Sequence, residues 1–137
     1  MGKLKIKSTT ILGVRKKNKI ALYFSNEARN EKYTFRDMKL FSNKAGNVLK
    51  RAANVEKGDR VFIFMPRSPE LYFILLGAIK LGAIVGPLFE AFMEDAGRDR
   101  LEDSEGKVRV TTPELLQRVP VDELPHLKQI ILVRENI

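Results

Sequence analysis

Apolar and polar positions divide the chain into alternating strand-like and helix-like segments. Val61–Met65 is an unbroken apolar run, which is typical of a strand covered on both faces in a parallel sheet. After it, Ser68 is expected to cap a helix over Pro69–Leu81, because serine followed by proline is a common helix start. Ala83–Val85 is predicted to be the next short strand, closed by Gly86-Pro87. A right-handed crossover makes these two strands parallel.

The segment before this unit predicts a hairpin and an amphipathic helix. Ile20–Phe24 and Lys32–Thr34 have strand character and are separated by polar, turn-like residues. Thr34 and Asp37 form an approximate capping box, so a helix is expected from Thr34 to about Ala53. Its apolar residues recur at three- and four-residue spacing and are expected to face the core: Met38, Phe41, Ala45, Val48, Leu49 and Ala52.

The segment after the central unit continues the alternation of helices and strands. We expect a helix over Met93–Ser104, a strand over Val108–Thr111, a short helix over Pro113–Arg118 capped by Thr112, and a last strand over Gln129–Val133. The expected fold class is therefore α/β, with a mainly parallel sheet and crossover helices, preceded by an antiparallel hairpin.

The net charge of +8 comes almost entirely from one end of the chain. Residues 1–19 have little pattern and carry seven Lys or Arg and no acid, whereas the rest of the chain carries 18 basic and 17 acidic residues. We therefore divide the chain into a basic N-terminal arm over 1–19 and an α/β subdomain over 20–137. No aromatic residues are interleaved with these lysines, so a solvated arm without specific nucleic-acid binding is expected.

Composition also bears on the cellular setting. The chain has no cysteine, which excludes disulfides and thiolate metal sites. The uninterrupted apolar stretch Leu71–Ile79 has nine residues, whereas a membrane-spanning helix needs roughly 20. The N-terminus has no apolar region of the kind found in secretion signals. We expect a cytoplasmic protein without a membrane partner.

The sequence contains few candidates for catalytic, metal-binding or anion-binding residues. The acids of Met93–Ser104 are interleaved with Arg98 and Arg100, which is typical of a salt-bridged solvent face rather than a catalytic or metal cluster. His126 is the only histidine and lies in a predicted loop, so no catalytic or metal residue is assigned. The start of the helix at Ser68 can hold an anion, but capping by the Ser68 side chain is the favoured role.

Long runs of the sequence resemble one enzyme family. The runs YTF, GDRV, MPRSPELY, GAI and RDRLEDS occur in the same order in AMP-forming acetate–CoA ligases, members of the adenylate-forming superfamily that includes firefly luciferase. The resemblance extends from about Lys19 to Val133 and covers roughly the first quarter of such an enzyme. It implies an incomplete N-terminal subdomain of the luciferase-like fold.

The resemblance also implies an activity and a set of ligands. The whole enzyme activates acetate with ATP and Mg²⁺ to acetyl-AMP and transfers the acetyl group to coenzyme A. This chain lacks a match to the family's phosphate loop, which resembles YTSGTTGKPKG, so the chain alone is expected to be an inactive scaffold with part of a coenzyme A wall. That wall is expected at Phe89, Glu90, Ala91 and Phe92, where Glu90-Ala91 replaces two glycines of many acetate ligases, and at Arg118, near arginines that meet the 3′-phosphate of coenzyme A.

The chain is expected to have one main partner, and two alternative functions remain. The main expected partner is the remainder of the ligase chain, and uncovered apolar surface is expected to cause self-association. Two other functions stay open at this point. One is a free-standing α/β module that binds a nucleotide or another small ligand, and the other is an adaptor whose basic arm binds nucleic acid or membrane.

Overall fold

The structure contains two separate β-sheets and three helices in its described part. It is a computed structural model that describes residues 9–12, 19–88, 105–119, 121 and 124–134. The elements, in chain order, are β1 (Thr9–Leu12), β2 (Ile20–Ser25), β3 (Asn30–Thr34), α1 (Phe35–Ala52), β4 (Arg60–Phe64), α2 (Pro69–Lys80), β5 (Ile84–Leu88), β6 (Val108–Thr111), α3 (Pro113–Leu116) and β7 (Gln129–Leu132).

The first sheet is antiparallel, with strand order β1-β2-β3. The predicted hairpin is confirmed as β2 and β3, and its turn is held by the Asn26 side chain, whose Oδ1 accepts from Ala28 N at 2.9 Å and from Arg29 N at 2.6 Å. The expectation that residues 1–19 have little pattern is wrong for Thr9–Leu12, which pairs with β2. A strand of four residues is too short to show a period, and its pairing partner cannot be inferred from local sequence.

Helix α1 begins as the sequence predicts. Asp37 N donates to Thr34 Oγ1 at 3.1 Å, and Thr34 N donates in return to Asp37 Oδ2 at 2.8 Å, which completes the capping box. The helix ends at Ala52, with Ala53 as its C-cap.

The buried face of α1 differs from the predicted one. Val48 is half exposed and Ala52 is exposed, whereas Ser42 and Gly46 are buried. Small residues at positions 42 and 46 let the α2 backbone come close to α1, and this turns the contact face away from the apolar stripe. The expectation that Val48 and Ala52 face the core is therefore wrong.

The second sheet is entirely parallel, with strand order β5-β4-β6-β7. Val61 pairs with Val85 in the β4–β5 ladder, which confirms the predicted unit of strand, helix and parallel strand. The second strand of that unit starts one residue later than predicted and continues through Gly86-Pro87 to Leu88. Proline does not end it because β5 is an edge strand among the described residues, where hydrogen bonds are needed on one side only.

Strand β4 is covered on both faces, as its apolar run predicts. On one face, Val61 and Ile63 pack with residues of α1 and α2, including Leu49 and Ala78. On the other face, Phe64 packs with Leu115, Val119 and Leu124 from α3 and the segment after it. Neighbouring strand β6 alternates in the same way, so Val108 and Val110 join the helix side and Arg109 faces the α3 side.

Helix α2 has the predicted position but not the predicted cap. Ser68 has an extended backbone at the N-cap position, and its side chain makes no capping hydrogen bond, so the prediction of a Ser68 cap is wrong. Glu70 places its negative charge in the first turn of the helix instead. The helix ends at Lys80, and Gly82 follows with a positive φ of 75°, as the predicted stop requires.

Candidate functional site

The carboxyl ends of the four parallel strands meet at one edge of the second sheet. The order β5-β4-β6-β7 reverses around β4, since the chain passes from β4 to β5 on one side and then to β6 on the other. Ligands of open α/β sheets bind outside the carboxyl ends of the strands, at such a reversal. This edge is therefore the candidate site.

Two threonines of the strand-to-helix connection after β6 lie at this edge. Thr111 is fully buried, and its Oγ1 has no hydrogen-bond partner within the described ranges. Thr112 caps α3 as predicted, with Leu115 N donating to its Oγ1 at 3.4 Å. The short helix that follows ends at Leu116 rather than at the predicted Arg118. The buried hydroxyl of Thr111 was not singled out by the sequence, because a threonine at the end of a strand is common.

In the sequence, the predicted coenzyme A residues follow β5 and α3. The segment Phe89-Glu90-Ala91-Phe92 follows β5 directly, but it lies outside the described residues, as does the helix predicted over Met93–Ser104. Arg118 is exposed, two residues after α3. An exposed arginine is accessible to an anionic ligand, and nothing further in the structure bears on Arg118, so its expected role stays a prediction.

The N-terminus of α2 also lies at this edge, and the carboxylate of Glu70 is in its first turn. Arg29 donates to Glu70 through two hydrogen bonds, from Nη2 to Oε1 at 2.8 Å and from Nη1 to Oε2 at 3.1 Å. Arg29 also binds Glu31, at 2.8 Å between Nη2 and Oε2. Burial pushes the pKa of Glu70 up, but the hydrogen bonds to its carboxylate and the positive charge of Arg29 together outweigh burial and leave the pKa below its ordinary value. Glu70 therefore stays ionised at the positive end of α2 and ties the first sheet to this helix.

A buried arginine lies on the α3 side of the second sheet. Arg109 is 1% exposed, and its Nε and Nη1 have no hydrogen-bond partner among the described residues. Burial lowers the pKa of Arg109 to about 10, so the guanidinium remains charged at neutral pH. The burial of Arg109 was not predicted, because an arginine between two valines is typical of a strand with one solvent-exposed face.

The described residues offer no obvious metal site. Within residues 9–12, 19–88, 105–119, 121 and 124–134, no group of three or more His, Asp or Glu side chains is placed to hold a metal ion. His126 is exposed in the loop before β7. In the same ranges, no helix combines the length and apolar character needed to cross a bilayer.

Comparison with known proteins identifies the family. The model of the family described as AMP-binding enzyme matches residues 13–136, which is most of the chain. This chain belongs to the AMP-binding enzyme family. The expected family is thereby confirmed.

Individual members of the AMP-binding enzyme family agree with this assignment. The acetyl-coenzyme A synthetase of Bacillus subtilis is 72% identical over 118 residues, which cover 86% of this chain and 21% of the relative. The solved acyl-CoA synthetase of Brucella canis has a TM-score of 0.68 at 32% identity, covering 82% of this chain and 21% of that protein. The fatty acyl CoA synthetase of Mycobacterium tuberculosis has a TM-score of 0.67 at 28% identity, and the match covers 76% of this chain and 22% of that protein. The expected fold is therefore confirmed, and the chain spans about a fifth of the length of these relatives.

Proposed function

We propose that this chain is the N-terminal part of an AMP-forming acetate–CoA ligase. The observation that carries the proposal is the 72% identity, over 118 residues, to the acetyl-coenzyme A synthetase of Bacillus subtilis. The whole ligase joins acetate to the α-phosphate of ATP, with Mg²⁺, and releases pyrophosphate. The thiol of coenzyme A then attacks the carbonyl carbon of acetyl-AMP, and AMP leaves. A cytoplasmic location accords with the absence of cysteine.

The residues that the structure describes do not by themselves form a site for the phosphates of ATP. A phosphate cradle needs several backbone N–H donors, usually from a Gly-rich loop or a helix N-terminus. No stretch of the sequence has such a glycine pattern. At the candidate edge, Pro66 lies in the connection from β4 to α2 and Pro69 begins α2, and neither has a backbone N–H to donate. We derive no adenylation step from this chain alone.

The role that we propose for this chain is scaffold and part of a coenzyme A wall. Arg118 is exposed and carries the charge needed to bind the 3′-phosphate of coenzyme A. The segment after β5, with Phe89, Glu90, Ala91 and Phe92, is proposed to line the same channel. The bulk of Glu90 and Ala91 keeps the ligand farther from the backbone there than two glycines do.

The proposed main partner is the remainder of the ligase chain. An apolar groove of about 340 Å³ lies between α1, α2 and the strands β6 and β7, and Phe41, Phe73, Ile74 and Ile131 are among its lining residues. Leu132 at its rim is 42% exposed, and β7 pairs on one side only within the described sheet. Exposed apolar surface next to an unpaired strand edge favours association. We propose that the remainder of the ligase covers this groove and that the chain alone self-associates through it.

An exchange experiment tests the ligase proposal. In the Bacillus subtilis relative, the 118 matched residues are replaced by those of this chain, and acetate-dependent formation of AMP is followed. We expect the exchanged ligase to be active with acetate, ATP, Mg²⁺ and coenzyme A. A folded exchange protein with no turnover would show that these residues are incompatible with the activity.

A further inference from the structure

Arg109 is the largest of the fully buried side chains in the described structure. Its two unpartnered atoms, Nε and Nη1, are N–H donors of a charged group, and neither contacts a carboxylate within the described residues. An ion that is removed from water without a partner costs several kcal/mol, so buried charges in proteins are normally paired. Arg109 therefore lacks the counter-charge that its burial requires.

Arg109 is one of the residues that line a small cavity. The other lining residues are mostly apolar: Phe62, Gly106, Val108, Leu124, Pro125, His126 and Leu127. The cavity has a volume of about 10 Å³, which is roughly what one water molecule requires. A carboxylate or a phosphate has several heavy atoms and exceeds this space, whereas a single-atom ion needs only a small displacement of the walls.

We propose that Arg109 and this cavity form a binding site for a halide-sized monovalent anion, with chloride as the abundant example. The guanidinium supplies the positive charge and two N–H donors, and the mostly apolar lining strengthens the attraction between the guanidinium and an anion. A monovalent halide gives up less hydration on entering such a site than a multivalent anion, which is also too large. The site lies on the α3 side of the sheet, and it does not depend on the ligase proposal.

Thermal unfolding of the 137-residue chain tests the proposal. Sodium chloride is compared with sodium gluconate at equal ionic strength, because gluconate is too large for the cavity. We expect chloride to raise the unfolding midpoint by roughly 3 °C. Arg109→Met should abolish this difference, whereas Arg51→Met, at an exposed arginine of α1, should retain it. An equal chloride effect in Arg109→Met, or no chloride effect in the unchanged protein, would overturn the proposal.

A second measurement needs no variant and decides the question if Arg109→Met does not fold. Crystals of the unchanged chain are grown or soaked in sodium bromide, and anomalous scattering from bromide is recorded. We expect a peak within about 3.5 Å of Nε or Nη1 of Arg109, the range of N–H contacts to a large anion. A map with ordered Arg109 and no peak in the cavity would contradict the proposal.

Discussion

Gly77 on α2 lies directly against Gly46 on α1. A β-carbon built on Gly77 would be 2.6 Å from the backbone nitrogen of Gly46 and 2.8 Å from the carbonyl oxygen of Ser42. These are backbone atoms and cannot rotate away as the end of a flexible side chain can. The two helices therefore contact each other through their backbones, and this contact fixes how both pack on β4.

The Gly77–Gly46 contact predicts a specific cost for one added methyl group. Gly77→Ala should destabilise the chain by about 1–3 kcal/mol, because the helices must move apart and leave core residues under-packed. Asn47→Ala, at an exposed position of α1, should change stability by less than about 0.5 kcal/mol. Urea unfolding of the three proteins measures both values, and equal midpoints for Gly77→Ala and the unchanged chain would contradict the close contact.

The ion pair between Arg29 and Glu70 predicts a loss of stability in acid. The pKa of Glu70 is below its ordinary value of 4.5 in the folded chain, so the unfolded state binds the proton more tightly. The ion pair contributes its full stabilisation above pH 4.5, the ordinary pKa that Glu70 has in the unfolded state. This contribution is lost as the pH falls through the lower pKa of Glu70 in the folded state. Glu70→Gln should therefore be less stable by about 1 kcal/mol at pH 7 and should lose less stability than the unchanged chain between pH 6 and pH 3.

Unfolding measured at pH 6 and at pH 3 separates this effect from general acid denaturation. Glu27→Gln removes the same charge from an exposed site and serves as the matched control. If the free energy of unfolding falls by the same amount between pH 6 and pH 3 in Glu27→Gln and in Glu70→Gln, the ion pair with Arg29 does not contribute as described.

The proposed wall of the coenzyme A channel predicts a change in one kinetic constant. In the exchanged ligase, Arg118→Ala should raise KM for coenzyme A by roughly tenfold, the loss expected for one charge-assisted contact, and leave KM for acetate unchanged. With 3′-dephospho-coenzyme A, both enzymes should have the same KM because the phosphate is absent. Arg51→Ala is the control. An equal rise in KM with both forms of coenzyme A would contradict a contact with the 3′-phosphate.

The apolar groove predicts which surface substitution makes the isolated chain more monomeric. Val48 and Leu40 are both on α1 and both 50% exposed, but only Val48 lines the groove. Val48→Lys should shift the chain towards monomer in analytical ultracentrifugation, because a charge in the groove opposes burial. Leu40→Lys should leave the association unchanged. If both variants dissociate to the same extent, the contact lies elsewhere.

Local sequence predicted those parts of the fold that depend on neighbouring residues. The capping box of Thr34 and Asp37 and the apolar run of β4 both depend on residues a few positions apart, and both are present. The parallel pairing of β4 with β5 follows from the length and handedness of the crossover.

The features that the sequence did not predict depend on distant contacts. Strand β1 exists through pairing with β2, and Val48 is exposed because Gly77 brings α2 onto Gly46 and Ser42. Burial of Arg109 is a property of the complete sheet, since alternation along β6 does not reveal that both faces are covered. The candidate wall depends on a family resemblance rather than on a local motif, so local physical rules gave no independent signal for Arg118.

The central claim is that these residues support acetate activation as part of a ligase and do not catalyse it alone. One assay tests both halves: acetate-dependent AMP formation by the exchanged ligase and by the isolated chain, at equal concentration with ATP, Mg²⁺ and coenzyme A. Loss of a single donor to the transition state already costs a hundredfold or more in rate, and the sequence of the isolated chain contains no glycine-rich phosphate-loop motif. We predict turnover by the exchanged ligase and none by the isolated chain above a heat-denatured control. Activity of the isolated chain, or an inactive but folded exchanged ligase, would contradict the claim.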